Sequence, residues 1–70
     1  MENNVENTVK KPKCKLVGQD GNVFNLIGIA SRTLKAVGMR DKATEMSQKC
    51  FNASSYEEVL CIISEYVDIR

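Results

Sequence analysis

An α+β fold is predicted for this chain, with three helices packed on one face of a one- to two-stranded β element formed near the chain ends. Three observations lead to it. Apolar residues recur at spacings of three and four over residues 23–37 and 56–67, the period of amphipathic helices. Short β-prone runs flank that helical stretch, at residues 13–17 and 67–69. The chain has only 70 residues, which supply apolar material for one core and not for two. The expected organisation is a disordered tail over residues 1–12 and a single compact domain over residues 13–70.

Each element follows from local chemistry. After the initiator, residues 1–12 hold only Val5 and Val9 as aliphatic side chains before Pro12 and show no helical or strand period, the pattern of a disordered tail. Residues 13–17 alternate in part and read as a strand, and Gly18-Gln19-Asp20-Gly21-Asn22 is a dense turn signal. In the first helix Val23, Leu26, Ile27, Ala30, Leu34 and Val37 share one arc. Asn22 or Asn25 is expected to cap its start, and Gly38 to end it in the left-handed conformation. A second helix is expected from Asp41 as its cap, with Ala43, Met46, Ser47 and Cys50 inward and Lys42, Glu45 and Lys49 outward. Ser54 and Ser55 each precede a glutamate by three residues, a capping spacing that starts the third helix near Tyr56. Its inner arc is Val59, Leu60, Ile62, Ile63, Tyr66 and Val67, which leaves Cys61 exposed. Residues 67–69 then form a strand beside residues 14–17, with Leu16, Val67 and Ile69 toward the helices and Lys15 and Asp68 outward. Two strands leave open edges, so a homodimer, or a partner complex covering an edge or Phe24, is expected.

Composition excludes several classes. At 43% hydrophobic and 27% charged residues the chain is an ordinary globular one. No apolar run approaches the ~18 residues of a membrane span. The start Met1-Glu2-Asn3-Asn4 lacks the features of a secretory signal, and three widely spaced cysteines suit reduced thiols. A soluble, cytoplasmic protein without membrane contact is expected. There is no histidine, so Ser-His and Cys-His nucleophile pairs cannot form within the chain. Cys14, Cys50 and Cys61 stand 36 and 11 residues apart with no Cys-x-x-Cys, which argues against zinc. No cofactor and no enzymatic activity are expected. Glu57 and Glu58 suit a helix N-terminus better than an acid/base pair, and Gly18-x-x-Gly21 lacks the lysine and spacing of a phosphate loop.

Charge carries more information. Residues 10–42 hold eight basic side chains against Asp20 and Asp41, a net +6, whereas residues 43–70 net −3. On the first helix Asn25, Gly28, Arg32 and Lys35 fall on one stripe opposite the core. Lys13 and Lys15 lie on the first strand, and together these six are the candidate binding residues. A mid-helix glycine costs about 1 kcal/mol relative to alanine. Gly28 therefore signals a close approach, by the strand or second helix of the same domain or by a ligand. The basic stripe itself is either an anion site or a solvated surface whose charges pair with the acidic third helix.

Lys15-Leu16-Val17-Gly18, Asp20-Gly21-Asn22, Phe24, Gly28, Leu34, Gly38, Ser55-Tyr56-x-x-x-Leu60 and Tyr66-Val67 together resemble a family of short uncharacterised proteins of bacteria and their phages. The likeness spans residues 13–69. It implies a compact domain of mobile-element origin and assigns no functional residue. Two functions are expected from the whole: a small non-catalytic adaptor or inhibitor acting through protein contacts, phage or mobile-element encoded, or a nucleic-acid or nucleotide-phosphate binder using residues 10–42. The identity of the partner is not encoded in any motif.

Overall fold

Pro12 has no amide proton to give a sheet, yet its carbonyl accepts from the Asp68 amide at 2.9 Å, and this bond opens a parallel ladder between the two flanks of the sequence. The computed structural model describes residues 11–70. Its elements in order are β1 (Lys13–Cys14), α1 (Val23–Ala36), α2 (Arg40–Phe51), α3 (Tyr56–Tyr66) and β2 (Asp68–Ile69). The strands pair parallel with Lys13 opposite Asp68 and Cys14 opposite Ile69. A parallel pair needs a long crossover, and the three helices are that crossover. The Arg70 amide donates to the Cys14 carbonyl at 2.8 Å, and the Leu16 and Val17 amides both donate to the Arg70 carbonyl. The regular strand is shorter than residues 13–17 because those two amides share one acceptor before the chain turns at Gly18, whose φ is +88°.

Of the tail expected over residues 1–12, residues 1–10 lie outside the described residues. Lys11 and Pro12 are both bonded to the helical body or sheet, Lys11 through an Nζ bond of 2.9 Å to the Ser64 carbonyl.

Asn22 caps α1 by accepting from the Phe24 and Asn25 amides. The helix ends where the Gly38 amide bonds the Lys35 carbonyl and the Met39 amide bonds the Leu34 carbonyl, the two bonds of a Schellman turn, with Gly38 at φ +82°. Val37, expected on the inner arc, is exposed instead: it is the residue at which the backbone leaves helical geometry (φ −103°, ψ 18°). The same turn corrects the start of α2. Its cap position is Met39, with no side-chain bond, and Asp41 sits inside the first turn, where a carboxylate still favours the helix dipole. Ser55 caps α3 by accepting from the Glu58 amide at 3.0 Å. The return bond of the capping pair goes to Ser54, whose amide and hydroxyl both donate to Glu58 Oε1 at 3.1 and 2.8 Å.

The inner arcs meet in one core. Leu34, Met46 and Ile63, one from each helix, are wholly enclosed, and Cys14, Leu16 and Val67 close it from the sheet side. Ser47, placed inward by its spacing, is half-buried beside Met46 and Cys50. Among the described residues no polar or charged residue is buried, and no helix is long and apolar enough to cross a membrane.

Candidate binding surfaces

The basic stripe is formed in part. Arg32 and Lys35 are exposed on α1, and Lys13 and Lys15 are exposed on either side of buried Cys14. The Thr33 hydroxyl donates to the Ile29 carbonyl at 2.9 Å and lies 3.5 Å from Cys14 Sγ, which sets β1 beside the α1 turn next to Arg32. Asn25 does not reach outward: its side-chain amide donates to the Asp20 carbonyl at 2.9 Å and holds the turn against the helix. Gly28 is approached by neither the strand nor α2. A Cβ there would meet only the guanidinium of Arg32, at 3.5 Å, an ordinary contact.

The acidic groups mostly have partners other than this stripe. Glu45 pairs with Lys42 and Lys49, and Lys49 also reaches Glu65 at 4.0 Å. Arg70 grips Asp68 Oδ2 through Nη2 at 2.8 Å and Nε at 3.2 Å. That grip holds the Asp68 carboxyl below the usual carboxylate range, with Lys13 and Lys11 adding smaller effects. Among the described residues Lys13, Lys15, Arg32 and Lys35 have no ion-pair partner within 4.0 Å.

Of the second surface the sequence pattern singled out only Phe24, as a residue a partner would cover. Phe24 is 67% exposed, Phe51 62% and Tyr56 44%, and all three edge one groove of about 380 Å³. Its floor is Val23, Ile27, Cys50, Ala53 and Val59, and Ser54 and Ser55 complete the lining. The Phe24 and Phe51 rings stand 6.2 Å apart at 35°. Helix topology puts them there: the start of α1, the end of α2 and the start of α3 lie at one end of the helical layer, and each of those ends carries an aromatic residue. A signal was present in the sequence, since all four of its aromatic residues fall within one turn of a helix end, and three of those ends meet here. The Cys50 thiol in the floor is pushed up by burial, so it stays protonated and packs.

A third cluster joins α2 to α3. Tyr66 Oη donates to Glu45 Oε2, and Lys49 Nζ lies 5.3 Å from the Tyr66 ring centroid. The Tyr66 bond, then Lys42, hold the Glu45 carboxyl below its ordinary range. This arrangement ties two helices together, and its Glu45 and Lys49 also line a surface depression with Gln48, Asn52, Glu58 and Glu65. Cys14 and Cys50 are buried and Cys61 is exposed, all as free thiols. Among the described residues no three of His, Cys, Asp and Glu gather as a metal site would require.

Comparison of the chain with protein-family models, with curated proteins and with solved structures finds no match.

Proposed function

We propose that this protein is a non-catalytic binding domain, an adaptor or inhibitor that acts through protein contacts made at the aromatic groove. One observation carries the reading: three of the five large apolar side chains that stand exposed among the described residues, Phe24, Phe51 and Tyr56, surround a single apolar concavity. Single exposed apolar residues are normal on any surface, but a cluster of rings around a groove is where binding energy concentrates. The absence of histidine from the sequence removes the commonest general base and supports a role without chemistry.

The test uses a partner recovered by affinity capture and then purified, so that direct binding is measured. Phe24→Ser and Phe51→Ser together should weaken that binding by more than tenfold, in line with the ≥ 2 kcal/mol typical of aromatic anchors. The fold should be retained because both rings are mainly outside the core. Unchanged affinity in the double variant would remove the groove as the interface.

The unpaired state of Lys13, Lys15, Arg32 and Lys35 among the described residues favours a second reading, a nucleic-acid or nucleotide-phosphate binder. Under it, binding falls steeply as salt rises, and Arg32→Glu with Lys35→Glu abolishes it while the phenylalanine variants do not.

A further inference from the structure

We infer that the groove receives a basic amphipathic segment of another protein, whose apolar side chains enter between Phe24, Phe51 and Tyr56 and whose lysines or arginines meet an acidic rim. The inference rests on the reading of the groove as the contact surface and adds the chemistry of what fills it. No residue lining the groove is charged. The two stretches that supply its lining, residues 23–27 and 50–59, include Glu57 and Glu58 and no lysine or arginine.

Glu58 and Asp20 stand beside the groove and Glu57 adjoins it in sequence, while Glu58 also lines the neighbouring depression that holds Lys49. Glu57 follows Tyr56 directly, and Glu58 bonds the amide and hydroxyl of Ser54, a lining residue. Asp20 precedes Gly21, where a Cβ would lie 3.8 Å from the Tyr56 hydroxyl. The Ser54 bonds hold the Glu58 carboxyl below the usual range, so it is ionised at neutral pH. Two helix N-termini also open here, but Asn22 and Ser55 already answer their amides. An apolar floor inside a negative rim suits a segment with apolar anchors at helical spacing and basic flanks.

The other occupants fit less well. A two-fold dimer through this face would set the same surface against itself and bring acids together. Residues 1–10 carry two glutamates against one lysine, so their side chains do not complement an acidic rim. A phosphate backbone would meet the wrong sign of charge.

The experiment titrates the full chain, labelled with nitrogen-15, with three synthetic peptides. All share leucine and phenylalanine anchors at i and i+4 spacing, and their remaining positions are lysine, glutamine or glutamate. The lysine peptide should shift the amides of Phe24, Ile27, Phe51, Tyr56 and Val59 and bind roughly tenfold more tightly than the glutamine peptide. The glutamate peptide should not bind. Asp20→Asn with Glu57→Gln, which keep size and hydrogen-bond acceptors, should erase the preference for lysine. Equal binding of the lysine and glutamine peptides would overturn the basic partner and leave the groove reading standing. Lysine-peptide shifts that persist in Phe24→Ser/Phe51→Ser would overturn both. Failure of every peptide to shift the groove amides, or concentration-dependent shifts there without peptide, would also overturn the proposal, the latter in favour of a second copy.

Discussion

Two glycines in the same helical stretch face opposite demands, and their substitution separates them. Gly28 lies inside α1 with ordinary helical backbone, and the space a methyl group would take is bounded only by the mobile end of Arg32. Alanine there removes unfolded-state freedom and should stabilise the domain by about 0.5–1 kcal/mol. Gly38 holds φ +82° in the Schellman turn, where any Cβ is strained although no atom stands near it. Alanine there should cost about 1 kcal/mol. In thermal unfolding followed by circular dichroism, Gly28→Ala should raise Tm by several degrees and Gly38→Ala should lower it. A fall in Tm for Gly28→Ala would show that the backbone at that site is under a constraint the packing does not reveal. The close approach expected at Gly28 from its helix cost alone is absent within the domain, because spacing along a helix says where a residue points and not what stands opposite.

At the scale of elements, α2 and α3 are joined by apolar packing and by the Tyr66–Glu45–Lys49 cluster. Glu45 has its carboxyl lowered, chiefly by the Tyr66 hydroxyl and then by Lys42. A carboxyl lowered in the folded state contributes stability that is fully present above its ordinary value and is lost as pH falls through the lower folded value. Stability should therefore decline on acidification through the carboxylate range. Glu58 and Asp68, lowered by Ser54 and Arg70, act in the same direction. Glu45→Gln should flatten part of the decline and leave the rest. Urea midpoints measured between roughly pH 6 and pH 3 check this, and an unchanged slope in Glu45→Gln would mean that the cluster does not couple to folding. The helix ends obey local rules where a side chain is at hand, as at Asn22 and Ser55. At Met39 they do not, because the preceding Schellman turn sets where α2 can begin.

For the whole molecule, the core is narrow. A chain of this size has a stability of roughly 4–10 kcal/mol, and the enclosed Leu34, Met46 and Ile63 bind the three helices to one another. Leu34→Ala should cost about 3–5 kcal/mol, most of what holds the fold. Its urea transition should shift to much lower concentration, with a measurable unfolded fraction in plain buffer. A loss under about 1 kcal/mol would mean that the helices collapse into the vacated space. Charge is also distributed at this scale. Among the described residues only Lys42 of the positive residues 10–42 pairs with an acid of the negative residues 43–70, Glu45, while the pairs of Lys49 with Glu45 and Glu65 and of Arg70 with Asp68 lie within the second segment. Cations stand along β1 and the outer face of α1, and acids border the aromatic groove.

The sequence by itself determined the three helices, the inner arcs apart from Val37, the caps at Asn22 and Ser55, the end at Gly38, the exposure of Cys61 and the strands on the two flanks. Each is a matter of spacing within a few residues, where side-chain periodicity and backbone geometry act without reference to the rest of the chain. Only the tertiary structure decided the parallel register of Lys13 with Asp68, the use of Asn25 to hold the 18–22 turn, the open space beside Gly28 and the groove of Phe24, Phe51 and Tyr56. Those features join residues far apart in the chain, and their positions depend on how three helix ends converge, which no local pattern encodes.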